Sequence, residues 1–169
     1  SAFLHNTSDG LDLLYAELGS SIEIRRTHAE GNAGNQIKTS GPASIENSIV
    51  VGNCGFFEGQ PFTFNVDNCR ALGTALFLRM RRGDRVSVTN CTVASNSATL
   101  NAGGAYSGPL NNSTLAGNGA GFNGGGAYYG TVNNCILTGN SVDYDTGGGA
   151  VYAILNNCTL TGNSASRGG

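Results

Sequence analysis

The sequence of 169 residues is poor in charge, with a single lysine, a single methionine and no tryptophan. Charged side chains make up 12 % of the residues, about half the ~25 % of an average soluble domain. A formal net charge of −2 excludes nucleic acid as a partner, because phosphate contacts need many cations. No stretch approaches the ~18 apolar residues of a membrane span, so a transmembrane helix is excluded as well.

The few charges are unevenly spread along the chain. Residues 1–85 hold 17 of the 20 charged side chains, and only Asp143, Asp145 and Arg167 follow. Both halves share one repeat, so we predict a single domain over residues 1–169, with charged turns in 1–86 and regular turns in 87–169. The chain begins inside a turn and stops where another turn is due, which suggests part of a longer rod or a unit that stacks end to end.

Glycine and asparagine are abundant instead, with 27 and 20 residues, and they follow a period of 21 to 23 residues. Residues 131–140 (TVNNCILTGN) match residues 154–163 (ILNNCTLTGN), and the same frame runs back to residue 26. Asparagine tolerates the left-handed backbone of a tight corner, and stacked amides can form a ladder. Six of the seven anchor positions are therefore predicted ladder residues: Asn47, Asn68, Asn90, Asn112, Asn134 and Asn157.

This period is too short for a pair of helices and suits one turn of a β-solenoid. Within each repeat apolar residues alternate with polar ones, which is the pattern of a half-buried strand. We therefore predict an all-β fold, a single-stranded right-handed parallel β-helix (β-solenoid) of about seven turns.

One inward column follows the anchor and holds only small side chains: Thr27, Ser48, Cys69, Cys91, Ser113, Cys135 and Cys158. Strands of neighbouring turns lie ~4.8 Å apart, close enough for a disulfide. Because cysteine alternates with serine and threonine here, we expect buried free thiols instead. Cys54 lies just past a corner and is expected to be the most exposed thiol.

The unit at residues 124–140, GGGAYYGTVNNCILTGN, resembles the repeat of bacterial secreted and cell-surface right-handed parallel β-helix proteins. The resemblance covers residues 87–169, and residues 1–86 resemble polysaccharide-active β-helix proteins more loosely. It implies an extracellular or bacterial cell-surface location and a polysaccharide or surface glycan as partner. Such a fold hosts lyases, hydrolases and adhesins alike, so it leaves the activity open.

The charged half holds the only candidates for catalysis: Lys38, Arg79, Arg81 and Asp12. A polysaccharide lyase needs a base and a cation that stabilises the developing negative charge. Lys38 and Arg81 precede their anchors by the same distance, which predicts one face two turns apart, and Asp12 falls one turn before Lys38. The alternative is a solvated face whose charges discourage edge pairing.

Tyr106, Tyr128, Tyr129 and Tyr152 lie on the glycine-rich strand of three successive turns. If they point outward, they form an aromatic stripe suited to stacking on sugars. The alternative is packing in the core or between turns.

Two weaker patterns complete the sequence. Asp143 and Asp145 form a D-x-D-x-G segment, which is a weak candidate for Ca²⁺ but lacks the other ligands of a calcium loop, so a turn insertion is the alternative. No other cofactor is expected. Thr92, Thr114 and Thr159 form an outward row, a pattern found on surfaces that bind ice or crystalline polysaccharide.

These observations favour an extracellular rod with a structural, adhesive or polysaccharide-binding role that assembles end to end into fibres. The alternative is a polysaccharide lyase or hydrolase that acts on acidic glycans through the charged half. A third candidate is a solenoid that binds ice or a crystalline surface. Whether the chain is an enzyme stays open, with a non-enzymatic role favoured.

Overall fold

A computed structural model describes residues 1–4, 6, 9–13, 21–32, 34–40, 42–51, 56–57, 60–61, 75–79 and 86–167. The regular elements among them are all β-strands, and none of these residues belongs to a helix that could cross a membrane. Parallel strands stack as a β-solenoid of about six turns, which confirms the predicted fold class. Right-handedness stays a prediction.

One wall of the solenoid is a seven-stranded parallel sheet whose neighbouring strands come from successive turns. Its strands are β1 (Ala2–Leu4), β4 (His28–Glu30), β7 (Ile49–Val51), β12 (Thr92–Ala94), β16 (Thr114–Ala116), β19 (Ile136–Thr138) and β22 (Thr159–Thr161).

A ten-stranded sheet forms two further ladders, which the long strands β18 and β21 join. The first ladder holds β2 (Leu11–Leu13), β5 (Ile37–Ser40), β10 (Leu76–Arg79) and β14 (Ala105–Tyr106). The second ladder holds β3 (Ile22–Arg25), β6 (Ala43–Glu46), β11 (Val86–Thr89) and β15 (Pro109–Asn111). Strands β18 (Ala127–Asn133) and β21 (Ala150–Asn156) cross the corner between the two ladders.

The remaining wall is a four-stranded parallel sheet, present in the later turns. It consists of β13 (Ser97–Ala98), β17 (Gly119–Ala120), β20 (Ser141–Thr146) and β23 (Ser164–Arg167). A separate antiparallel pair, β8 (Phe56–Phe57) with β9 (Gln60–Pro61), stands outside the stack.

The core is the narrow interior of the stack, and it contains the predicted inward columns. Branched apolar residues fill it level by level, as in Ile45, Val88, Leu110 and Val132, each almost fully buried. The small column is buried too at Thr27, Ser48, Cys91, Ser113 and Cys135. Leucines of the final turn are more exposed because no further strand of the described chain covers them.

The corners follow the local conformational preferences of the sequence. The anchor residues Arg26, Asn47, Asn90, Asn112, Asn134 and Asn157 all have left-handed φ angles between 47° and 54°. A second left-handed corner falls five residues later and is taken mostly by glycine, as at Gly117 and Gly139 with φ of 61°. Asparagine and glycine are the residues that adopt this conformation at least cost.

Other glycines are required by close backbone packing at the entry to the first ladder. A Cβ on Gly125 would lie 2.4 Å from the carbonyl oxygen of Ser141 and 2.6 Å from that of Gly148. A Cβ on Gly126 would lie 2.4 Å from the carbonyl oxygen of Gly149. The glycine runs of the repeat therefore mark the place where successive turns approach too closely for any side chain.

The prediction of a separate turn anchored at Asn68 is wrong. Ile49 of β7 pairs directly with Thr92 of β12, and Ile45 of β6 pairs with Val88 of β11. No turn therefore lies between the anchors Asn47 and Asn90. Asn68, Cys69 and Cys54 themselves lie outside the described residues.

Two insertions in a single turn imitate the missing turn. Val51 pairs with Ala94, and Leu76 pairs with Ala105. The chain needs 25 positions to go from Val51 to Leu76 but only 11 to go from Ala94 to Ala105. Val88 pairs in the same way with Leu110. The chain needs 12 positions to go from Leu76 to Val88 but only five to go from Ala105 to Leu110. The 14 and seven extra residues together equal one repeat, so sequence periodicity cannot distinguish them from a turn.

Candidate functional site

Four tyrosines form one aromatic cluster on the outer side of the solenoid, which we call the tyrosine cluster: Tyr106, Tyr128, Tyr129 and Tyr152. Tyr106 pairs with Tyr128 across β14 and β18, and their ring centroids are 5.6 Å apart. Tyr129 stacks on Tyr152 of the next turn at 5.3 Å with 20° between the ring planes. None of the four belongs to the buried core, but their rings pack between neighbouring turns, so the structure combines outward exposure at Tyr129 and Tyr152 with the predicted packing between turns.

Tyr129 and Tyr152 are the exposed members of this cluster. Tyr129 is 45 % exposed although turns cover it on both sides, and Tyr152 is 71 % exposed in the last strand of its ladder. Both have left-handed φ, at 61° and 52°, a conformation unusual for a bulky residue. In the preceding turn Ser107 and Gly108 make the same corner, so the backbone alone does not require tyrosine here.

The phenols of the cluster influence one another. Burial raises the pKa of Tyr128 to about 12, and a side-chain hydrogen bond with Tyr129 and the nearby phenols add to the shift. Tyr128 therefore keeps its proton at neutral pH. The cluster presents uncharged rings with hydroxyl groups that donate and accept hydrogen bonds.

Lys38 and Asp12 are brought together in the charged half, as predicted. Asp12 of β2 pairs with Lys38 of β5, and the Lys38 ammonium lies 3.2 Å from Asp12 Oδ2 and 3.1 Å from Asp9 Oδ2. Burial acts to lower the pKa of Lys38, but hydrogen bonds and charge from the two carboxylates outweigh it, so the pKa is raised. Asp9 in turn accepts hydrogen bonds from Asn35.

This arrangement suits a structural tie better than a general base, since a base must release its proton near the working pH. The predicted alignment of Lys38 with Arg81 is also wrong. β5 pairs directly with β10, where Phe77 stands level with Lys38 and Arg79 with Ser40. The insertions described above shift the frame, and Arg81 lies outside the described residues.

The cysteine column consists of free thiols at Cys91, Cys135 and Cys158, as expected. Burial raises the pKa of the Cys91 and Cys135 thiols, which keeps them unreactive. Each position also bonds the backbone: the Cys135 thiol donates to the Asn133 carbonyl at 3.1 Å and accepts from the Ser113 N–H at 3.4 Å. Serine makes the same pair of bonds at Ser113, which explains why the two residues exchange.

Asparagine ladders are present, and the most buried one lies six residues after the anchors. Asn96, Asn118, Asn140 and Asn163 are linked in series, and each of the first three amides donates to the next Oδ1 at 2.9 or 3.0 Å. Of the anchor ladder, Asn157 bonds Asn134 at 2.8 Å and Asn90 bonds Asn47 at 3.4 Å. The repeated Gly-Asn pair signals this inner ladder, but the sequence alone shows only that it marks a corner.

Asp143 and Asp145 fall in β20, where the register with β23 shifts between Val142 and Thr146. That irregularity agrees with the predicted turn insertion. Among the described residues no group of three or more His, Cys, Asp or Glu side chains is placed to hold a metal ion. Beside the two carboxylates, sequence reasoning missed an exposed pair, Phe122 and Tyr144, because neither recurs in the repeat.

The outer side of the seven-stranded sheet carries the predicted threonine row. Thr92, Thr114 and Thr159 stand in one column, with Ile136 between the last two. The column is kept in register in spite of the unequal repeat lengths. It contains no aromatic or charged residue from Thr92 onward.

Comparison of the chain with protein-family models, with curated proteins and with solved structures found no match.

Proposed function

We propose that this chain is an extracellular binding rod that holds a polysaccharide against the tyrosine cluster. The observation that carries the proposal is the exposed, mutually stacked pair Tyr129 and Tyr152. Sugar rings present flat C–H faces to aromatic rings, and phenol hydroxyls can bond the sugar hydroxyls. The solenoid backbone keeps the rings at fixed positions along its axis.

The repetition of tyrosine at a left-handed corner of two adjacent turns supports a ligand-binding role for the cluster. Left-handed φ at a bulky residue costs about 1–3 kcal/mol and tends to persist where function requires it. Tyr129 and Tyr152 both have this conformation, and so does Ser107, with a φ of 66°, at the equivalent corner of the turn before, so the corner is shared by three turns and the tyrosine by the last two. Repetition of the same strained tyrosine in adjacent turns suits a ligand that is itself a repeating chain.

Affinity electrophoresis in gels that contain a neutral β-glucan or a polyuronate tests the proposal. We expect at least one polymer to retard the native chain. The double variant Tyr129→Ala/Tyr152→Ala should bind roughly tenfold more weakly, since each ring contributes about 0.5–1.5 kcal/mol. Alanine fits the left-handed φ no worse than tyrosine, so the fold is expected to be kept.

Two controls make the test specific. Tyr129→Phe/Tyr152→Phe keeps both rings and should retain most of the retardation, whereas Ile136→Ala removes an exposed apolar side chain from the seven-stranded sheet and should change nothing. Unchanged binding by the double alanine variant, with a native circular dichroism spectrum, would refute the proposal.

A further inference from the structure

The segment Asp143, Tyr144 and Asp145 holds a concentration of charge that nothing above explains. From residue 86 onward the sequence contains three charged residues, and two of them flank this tyrosine. Tyr144 is 70 % exposed. Its strand β20 pairs with both β17 and β23 at Ser141 and Val142, and Tyr144 lies between Val142 and Thr146, the two residues at which the register with β23 shifts.

An irregularity in the strand presents this tyrosine to solvent. The register of β20 shifts between Val142 and Thr146, and such bulges commonly redirect a side chain at a functional site. The Tyr144 N–H donates to the Gly121 carbonyl at 2.9 Å, which fixes the bulge on the turn below. There its ring lies 5.7 Å from that of Phe122, which is 43 % exposed. Two adjacent turns thus build one aromatic ledge.

The two carboxylates beside the ledge are not neutralised. Within the part of the chain that the structure describes, no ion pair or side-chain hydrogen bond engages Asp143 or Asp145. Arg167 lies on the neighbouring strand β23 but pairs with neither of them. An aromatic surface with free negative charge attracts an organic cation, through the ring faces and through charge-assisted hydrogen bonds.

We propose that Phe122, Tyr144, Asp143 and Asp145 form a binding site for a protonated amino sugar. The inference rests on the proposed function, because it takes the ligand from the class of glycans. A pyranose ring can cover the exposed aromatic ledge while its ammonium group approaches the carboxylates. This site is separate from the tyrosine cluster, which lies at another corner of the turn.

The test compares two oligosaccharides that differ only at nitrogen: an oligomer of glucosamine below the pKa of its amine, and its N-acetylated form. We expect the charged oligomer to bind roughly tenfold more tightly, with an affinity that falls as salt screens the carboxylates. Asp143→Asn/Asp145→Asn should remove that preference. Tyr144→Ala should weaken binding roughly three- to fivefold, as expected for an exposed cation–π contact.

Glu23→Gln is the control, since it neutralises an exposed carboxylate on another wall and should leave binding unchanged. Equal binding of both oligomers, or no effect of the double asparagine variant, would overturn the inference. An oligolysine that binds as tightly as the amino oligosaccharide would also overturn it, because binding would then depend on positive charge alone and not on the sugar ring.

The tyrosine variants separate this inference from the proposed function. Tyr129→Ala/Tyr152→Ala should leave binding of the amino oligosaccharide intact. If the amino oligosaccharide binds through Asp143 and Asp145 while no polymer needs the tyrosine cluster, the proposed function fails and this site stands. If a polymer needs the cluster while the amino oligosaccharide does not bind, the reverse holds.

Discussion

The turns after residue 86 and those before residue 52 stack on the same three ladders of strands but differ in the hydrogen bonds of their buried amides. In the later turns Asn96, Asn118, Asn140 and Asn163 pass hydrogen bonds from turn to turn without interruption. In the earlier turns Asn32 accepts from Asn6 one turn below but donates to Gln36 within its own turn. A ladder that bonds from turn to turn requires an asparagine at the same position of the next turn. A hydrogen bond within one turn, like that of Asn32 with Gln36, makes no such demand, so the next turn can contain an insertion.

Charge follows the same division. The early turns carry exposed ion pairs, such as Arg25 with Glu23 and with Glu46, both at 3.4 Å. Exposed pairs of this kind contribute only about 0–1 kcal/mol each. The later turns do without them, since buried amide ladders and apolar columns supply their cohesion. We therefore expect the ladder to dominate the stability of the later turns.

Breaking the inner ladder should have the largest effect. In Asn118→Ala the Asn96 amide and backbone N–H lose their acceptor, and the bonds of Asn118 to Val93 and Asn140 disappear. With buried groups left unpaired at about 1–3 kcal/mol each, we expect the free energy of unfolding to fall by about 3 kcal/mol. Urea unfolding followed by circular dichroism measures it.

An outer ladder provides the matched control. Asn133 bonds Asn111 and Asn156 through its side chain, but it is only partly buried, so water can replace those bonds. Asn133→Ala should cost about 0.5–1 kcal/mol, the net value of a typical hydrogen bond. Equal losses at Asn118 and Asn133 would contradict the primacy of the inner ladder.

A smaller effect is expected in the cysteine column. Cys135→Ala leaves the Ser113 N–H without its acceptor, which should lower the free energy of unfolding by about 1–2 kcal/mol. Cys135→Ser provides a donor and an acceptor again, and Ser113 makes the same two bonds in the neighbouring turn of the column. The free energy of unfolding of this variant should therefore match that of the native chain within about 0.5 kcal/mol. Thermal unfolding of both variants measures the difference, and a serine variant as unstable as the alanine variant would show that volume governs the column.

The sequence predicted those features that follow from local chemistry. Corner asparagines such as Asn112, the buried column at Cys135 and the pairing of Asp12 with Lys38 all follow from a fixed period and strand alternation. The outward direction of Tyr129 was one of two alternatives, because glycine-rich strands show no alternation that separates inside from outside.

What the sequence could not provide is pairing across an irregular turn. Val66-Asp67-Asn68-Cys69 fits the anchor of the repeat, although Thr74 stands where every other anchor is followed by asparagine six residues later, yet β7 joins β12 directly. Likewise the exposed ledge of Phe122 and Tyr144 depends on a bulge in one turn. Both features depend on long-range hydrogen bonding, which leaves no periodic signal.

The smallest effect is expected where the two regions meet, and it tests the insertion directly. Replacing residues 52–75 with a copy of residues 95–104 should convert the irregular turn into a regular one, because Val51 and Leu76 pair with Ala94 and Ala105. Shortening a connection by about half changes its closure cost by only ~0.6 kcal/mol. The copied segment begins with Ser-Asn where the native one begins with Gly52-Asn53, so the asparagine at that position of the repeat is kept.

We therefore expect this variant to unfold within about 1 kcal/mol of the native chain, with an unchanged β-sheet spectrum. Deleting residues 62–74 serves as a comparison, because it shortens the connection to a similar length but keeps the native residues 52–61. If residues 52–75 formed a true turn of the stack, their removal would eliminate the core of that turn and one interface between turns, and the free energy of unfolding would fall well below that of the native chain. Retention of the native stability thus identifies the segment as an insertion on a continuous solenoid, in agreement with the pairing of Ile49 with Thr92.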